Sequence, residues 1–289
     1  MDWTSELFVE SICNLLSECA VTTIRNTFIS TSWQNGAAWA IEKRTPSKIV
    51  FSHSCVGLER LKTNPFSRVT SLVFNIRQEL HELEHELRKV LQFMVCDNRS
   101  VIEFQGAELL KYTPKKTLTK AMNLLESPRF QSICLFTMIR GLQRVCDASE
   151  TFLRRHIERG ILREVSLAKG WRKADSYWIV ELLPQKQLTQ FSSLPSTGVT
   201  FSDYTLRRIL CTIAAERLPD GRTRKYEFNP EFDHQIESLL NDVGFVMPAN
   251  FHRGHVCHDY YYKTILVRVY HDGAKIFRLT ATYGKEFCL

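Results

Sequence analysis

Apolar residues recur at three- and four-residue spacing along the first part of the chain. Leu7, Phe8, Ile12, Leu15 and Leu16 make one stripe, Val21, Ile24, Phe28 and Ile29 a second, and Trp33, Ala37, Ala38 and Ile41 a third. That period predicts three short helices. Arg44-Thr45-Pro46-Ser47 then interrupts the pattern, because proline disfavours helix at its own position and at the one before it. A helical module over residues 1–45 is expected, with Trp33 in its core.

Beyond that break the period shortens. Lys48 to Phe51, Val69 to Ile76, Val101 to Phe104, Ile133 to Phe136, Leu162 to Leu167 and Phe191 to Leu194 are rich in β-branched, aromatic or other apolar residues and read as strands. Helical runs separate them. His81 to Val95 is the clearest, with Leu80, Leu83, Leu87, Val90, Leu91 and Met94 forming a stripe and Glu82, Glu84, Glu86, Arg88 and Lys89 the polar face. Leu118 to Glu126, Leu142 to Ile157, Tyr177 to Leu183 and Asp203 to Arg217 are the rest. Superposing the strands aligns Phe74, Phe104, Phe136, Val165 and Leu194, at intervals of 30, 32, 29 and 29 residues. One strand and one helix per interval is the pattern of a parallel βα solenoid of leucine-rich-repeat type. An ordinary α/β sheet with crossovers of similar length is the alternative.

The last part of the chain reads differently. Asp233 to Val243 is a helix, and Ile265 to Tyr270 and Ala274 to Tyr283 are strands joined through His271-Asp272-Gly273, an Asp-Gly hairpin. Ile265, Val267 and Val269 alternate with polar or partly polar positions, so one face is buried. The expected architecture is α/β: a helical module over 1–45, a leucine-rich-repeat-like solenoid over 46–220, and a helix plus antiparallel hairpin over 221–289 that caps an open sheet edge.

Composition supports a folded chain. At 289 residues, 44% hydrophobic and 24% charged, it can bury a substantial core without staples. Nine cysteines occur singly and never as Cys-x-x-Cys, the usage of a reducing compartment. The opening residues are acidic where a signal peptide is basic, and no apolar run reaches the length of a membrane span. Cytoplasm or nucleus is therefore the expected location. A net charge of +7 is too mild to indicate nucleic acid, and Arg222, Arg224 and Lys225 read as solvated charges in a turn.

Little in the sequence suggests catalysis. There is no phosphate-binding glycine loop, nucleophile elbow or His-Glu-x-x-His helix. His252, His255, Cys257 and His258 are the one dense group of metal-ligand residue types, but no second ligand pair with matching separation accompanies them. The expectation is no metal and no cofactor, with an unfamiliar enzyme site in the Phe251 to Asp259 loop as a minor alternative. Glu82, Glu84 and Glu86 beside His81 and His85 fit a solvated helix face. Asn35-Gly36 is taken as a helix end or turn. Trp171 and Trp178 flank a predicted loop, and Trp171 is the candidate contact residue for a protein substrate.

The run from Ser5 to Leu16, followed by Ile24, Phe28, Ser32 and Trp33, resembles the F-box, and the whole chain is similar to the nematode-expanded F-box-like proteins. Leu7 is followed by Phe8, where F-boxes usually carry Leu-Pro. The resemblance implies an adaptor of a cullin-RING ubiquitin ligase. Leu7, Phe8, Ile12, Leu15, Leu16 and Trp33 would serve the module and a Skp-type linker protein, and the α/β region would recruit a protein substrate. A stand-alone protein- or nucleic-acid-binding scaffold with a vestigial F-box is the alternative.

Overall fold

The structure is a computed structural model that describes residues 6–16, 18–27, 30–52, 55–64, 66–75, 83–94, 96–105, 115–193, 197–216, 221–230, 236–247, 257–272 and 276–284. The fold is mixed α/β, and the chain divides into two compact units, Met1–Ile139 and Arg140–Leu289.

The first unit opens with α1 (Glu6–Leu15), α2 (Glu18–Asn26) and α3 (Thr31–Lys43). Val9, Cys13, Val21, Ala37 and Ala40 form their fully buried core, with Leu16, Ile24, Trp33, Trp39 and Ile41 packed around it. Gly36 lies inside α3 rather than at its end. Its role is steric: a Cβ placed there would stand 2.6 Å from Val9 Cγ1, well inside the contact distance of two carbons. The expectation that Asn35-Gly36 marks a helix end is therefore corrected. Arg44 follows α3 and donates through Nη2 to the carbonyls of Cys13 at 3.1 Å and Leu16 at 2.6 Å. These belong to the α1 carbonyls that a helix terminus leaves without an internal donor.

The parallel strands β1 (Thr45–Phe51), β3 (Ser67–Phe74) and β4 (Cys96–Phe104) follow in spatial order β4-β3-β1, with the short β2 (Cys55–Val56) antiparallel on β1. Parallel neighbours require crossovers, and helices α4 (Leu58–Thr63), α5 (Leu83–Phe93) and α6 (Lys115–Leu125) supply helical turns between or after them. α5 packs on α4 and on α6. Phe51 pairs in register with Phe74, and Phe74 with Phe104. Their rings stack at 5.1 Å in both steps, with interplanar angles of 18° and 8°. Burying each such ring contributes roughly 1.5–3 kcal/mol.

The strand β5 (Met138–Leu142) falls at the division between the units. The expected strand Ile133 to Phe136 is instead a turn: the Ile133 and Cys134 amides both donate to the Phe130 carbonyl, so they are spent locally. A short apolar run without alternation does not distinguish the two outcomes. The helix expected from Leu142 begins later, as α7 (Asp147–Glu158), because Leu142 ends the strand β5.

In the second unit β6 (Glu164–Leu167), β7 (Gln190–Ser193) and β9 (Thr223–Pro230) run parallel, and the two-residue β8 (Thr200–Phe201) lies parallel to the end of β9. Val165 pairs with Phe191 rather than with Leu194, and Leu194 lies outside the described residues. The expected helix from Tyr177 is a 3-10 turn, Lys173–Asp175, and the single-turn α8 (Ser176–Ile179). Helices α9 (Asp203–Ala215) and α10 (Ile236–Val243) pack together. Strands β10 (Cys257–Tyr262), β11 (Ile265–Asp272) and β12 (Ile276–Tyr283) form an antiparallel meander, and β12 pairs with the free side of β9. The β10–β11 turn had no sequence signature because Lys263 takes the left-handed conformation, φ 53°, that glycine or asparagine usually marks.

Arg224 overturns its reading as a solvated turn residue. It sits in β9, 1% exposed. Nη2 donates to Glu216 Oε1 at 2.5 Å and to the Lys186 carbonyl at 2.7 Å. Nη1 donates to the Tyr226 hydroxyl at 3.1 Å and the Gln185 carbonyl at 3.3 Å. Burial pushes the Glu216 carboxyl above its ordinary range, against the pull of Arg224.

Two outcomes are expected. Gly36→Val should lower stability by about 1–3 kcal/mol in urea denaturation, and a cycle with Val9→Ala should show favourable coupling between the two substitutions. Additive losses would mean that space at the crossing is not the constraint. Arg224→Ala should cost about 3–5 kcal/mol, since it leaves Glu216 buried and unpaired. A loss below about 1 kcal/mol would put the pair in the class of surface bridges.

Candidate functional site

Exposed aromatic residues stand on two surfaces, one on α1 and one in the second unit. Along α1, Val9, Cys13 and Leu16 follow i, i+4, i+7 spacing and face the three-helix core. Phe8 and Ile12 follow the same spacing one position earlier, on the adjacent face. Phe8 is 53% exposed and Ile12 is half-buried. Of the residues expected to serve a partner, Leu16 and Trp33 pack on the core. The side chains of Leu7 and Leu15 lie outside the described residues. Val9 and Cys13, outside the expected contact set, are fully buried. The apolar band is simply wider than one core-facing stripe.

Trp171 is corrected. It is 2% exposed, and its indole N–H donates to the Leu142 carbonyl at 2.8 Å, so it anchors the segment from inside. The exposed aromatics nearby are Tyr177, 82% exposed, and Tyr204, 67% exposed. They line a cleft of about 260 Å³ with Lys173, Ser176, Val180, Thr200, Phe201, Ser202, Thr205 and Arg208. Its walls are the segment that follows β6 and the β8–α9 junction, at the carboxyl ends of parallel strands, where open α/β sheets usually bind ligands. The walls are tied together. Thr200 N–H donates to Ser176 Oγ at 3.0 Å, and Arg208 Nη1 to Glu181 Oε1 at 3.2 Å. Gly198 N–H donates to the Trp171 carbonyl at 2.8 Å, an approach that a Cβ at Gly198 would block at 2.8 Å.

A charge cluster holds the 3-10 turn behind the cleft. Arg144 Nη2 donates to Glu150 Oε2 at 2.6 Å, and its Nε lies 3.4 Å from Asp175 Oδ2. Asp175, 2% exposed, accepts the Arg172 N–H at 2.7 Å. Arg154 bonds Glu150 and stacks over Trp178, 4.1 Å from the ring centroid, a cation–π contact. The hydrogen bond from Arg144 holds the Glu150 carboxyl below its ordinary range, against burial.

The histidine-rich loop falls largely outside the described residues, including His252 and His255, while Cys257 and His258 are described only as backbone of β10. Asp259, at its end, is a structural residue: it takes a two-pronged bond from the cross-strand Arg268, at 2.7 and 2.8 Å. On α5, His85 is exposed, Glu84 pairs with Arg88 and Glu86 with Lys89. His81 and Glu82 lie outside the described residues.

No protein-family model, curated protein or solved structure matches the chain. Among the described residues no helix is long and apolar enough to cross a membrane.

Because the folded pKa of Glu150 is depressed, the stability it contributes is present above its unfolded value of about 4.3 and is lost as pH falls through the folded value. The melting temperature of the intact protein should therefore drop more steeply between about pH 6 and about pH 3 than that of Glu150→Gln. Parallel curves would show that Arg144 holds nothing through this carboxylate.

Proposed function

We propose that the chain is a non-catalytic adaptor of the F-box-like class. In this reading α1 to α3 dock a Skp-type linker of a cullin-RING ubiquitin ligase, and the α/β region recruits a protein substrate. The observation that carries the reading is the division of α1 into two apolar faces. Val9 and Cys13 are spent on the module's own core, while Phe8 on the next face stands 53% exposed. A large aromatic presented from a small helical module is the residue type that dominates interface energetics.

The order of strands and helices supports a leucine-rich-repeat-like solenoid. β1, β3 and β4 are parallel neighbours in chain order, as are β6, β7 and β9, and the helices α4, α5 and α6 pack in sequence. A solenoid adds each repeat beside the last, whereas a doubly wound sheet reverses its order at a switch point. The in-register phenylalanine stack agrees with a repeated unit.

The test is capture of a purified Skp-type linker by the full chain, with Phe8→Asp alongside. The intact protein is expected to retain the linker and the variant to lose roughly tenfold or more in affinity, with circular dichroism checking that the variant keeps its helices. Failure of the intact chain to bind, or equal binding by the variant, would leave the α/β region as a stand-alone binding domain.

A further inference from the structure

We propose that the open face of the second unit's sheet, centred on Lys225 and Thr280, binds an acidic, extended segment of a partner protein. The inference rests on the reading of the α/β region as the part that receives a protein. It does not rest on linker binding, since every residue in it belongs to the second unit.

Strand registers divide the sheet into two unlike faces. Val165, Phe191, Tyr226, Leu279 and Val269 are cross-strand neighbours from β6 to β11, and each is at most 2% exposed. This face turns toward α9, where the Tyr283 hydroxyl donates to the Ile213 carbonyl at 3.4 Å. One residue along each strand, Glu164, Gln190, Lys225, Thr280 and Arg268 form the next row, on the opposite face. All five are exposed or half-buried. Strands β6, β7 and β9 are parallel, and parallel strands usually bury both faces. Here the outer positions Ser166, Gln190, Ser192 and Lys225 are polar and reach solvent, as on the binding surface of a solenoid.

The charges on this face indicate the chemistry of the partner. Its carboxylates among the described residues are each held by an arginine: Glu164 by Arg140 at 2.8 Å, Glu227 by Arg278 at 3.0 Å, and Asp259 by Arg268 at 2.7 and 2.8 Å. Lys225, exposed between Gln190 and Thr280, makes no ion pair among the described residues. Arg268 stands in register on the far side of Thr280, and Arg278 is two residues along β12, so three cations surround one hydroxyl. The two arginine side chains are 58% and 50% exposed. A guanidinium that gives one or two N–H groups to a carboxylate keeps others for a ligand. Asp259 is itself buried, so the outward charge of that pair is the guanidinium. An anionic segment therefore meets cations it can reach and carboxylates already neutralised, and the net charge of +7 draws the same class of partner from a distance.

Spacing favours a protein segment over nucleic acid. Adjacent strands lie about 4.8 Å apart and successive same-face residues about 7 Å along a strand. Lys225 is thus about 8 Å from Arg278 and about 10 Å from Arg268 at the backbone. Alternate side chains of an extended chain repeat at about 7 Å, within reach of the long lysine and arginine side chains. A continuous phosphate backbone would also lie over Glu227 and Glu164. Tyr270, the aromatic beside the cations, carries Arg278 over its ring, 5.2 Å from the centroid, where a stacked base would have to sit.

The test is titration of the full chain, followed by fluorescence anisotropy, with a labelled peptide that has glutamate at alternate positions. Saturable binding is expected, roughly tenfold or more tighter than for the same peptide with glutamine, and weakening with salt. Lys225→Gln should weaken binding by roughly threefold and Lys225→Glu by roughly tenfold or more, with circular dichroism checking that each variant keeps its fold. Lys225→Glu should also bind a peptide with lysine at the same positions better than the intact chain does. Lys115→Glu makes the same change in net charge at an exposed site of the first unit and should leave binding as it is. No saturable binding, equal binding of the glutamine peptide, or equal losses in Lys225→Glu and Lys115→Glu would each overturn the proposal. So would a single-stranded oligonucleotide that binds more tightly than the glutamate peptide and is lost with Lys225→Glu, which would assign the face to nucleic acid. A chain that fails these tests and still captures the Skp-type linker would overturn this inference alone, and one that passes them without capturing the linker would overturn the linker alone.

Discussion

The guanidinium of Arg224 is surrounded by protein, and a charge in that position persists only if its donors are met. The groups that meet those of Nη1 and Nη2 come from separate parts of the second unit. Glu216 lies just past α9, the Gln185 and Lys186 carbonyls belong to the turn before β7, and the Tyr226 hydroxyl is two residues along β9 itself. Tyr226 passes the connection on to the Leu183 carbonyl, and Tyr283 of β12 reaches Glu216 Oε2 at 3.3 Å. A slip of β9 by one residue would turn Arg224 to the other face of the sheet and strand both charges. The register of β9 between β7 and β12 is thus fixed by a polar cluster together with the buried Tyr226 and Phe228 on the same face.

A second cluster does the same for the cleft. Arg144, Glu150 and Asp175 hold the 3-10 turn that leads into α8, and Trp171 pins the preceding residues through its indole N–H. The exposed Tyr177 and Lys173 are therefore carried on a short segment whose backbone is held from below. Side chains meant for contact gain from that arrangement, because less freedom is lost when a ligand arrives. On α1 the logic is different. There the helix is held by its own buried face and by Arg44 at its C-terminal carbonyls, and periodicity places Phe8 on the adjacent face.

The sequence was legible where one physical factor acted by itself. Three helical stripes gave α1 to α3, the strong amphipathic pattern gave α5, and alternation around Val267 and Val269 gave β11. Phe74 and Phe104, aligned by spacing, are paired neighbours in the sheet. It was illegible where tertiary context set the outcome. Nothing local marks Arg224 as buried, since its partners come from distant positions. Gly36 looks like a helix end until Val9 is seen against it. Trp171 near a loop reads as a contact residue until its N–H finds an acceptor. The cleft was missed because its residues are individually ordinary, and only the path of the chain after β6 and after β8 gathers them.

The stacked phenylalanines have a consequence for how such a chain can change. Phe51, Phe74 and Phe104 hold the same height in adjacent strands although the connections between them differ in length. The stack therefore measures position across the sheet and ignores the distance travelled between strands. Insertions and deletions in the crossovers lengthen or shorten a surface loop at small entropic cost. The same change inside a strand would move a ring out of the stack and reverse every inward-facing residue after it. Lineages descended from this chain should accordingly drift in length between strands while the strands themselves keep a fixed count, which allows the outer surface to diversify on an unchanged interior.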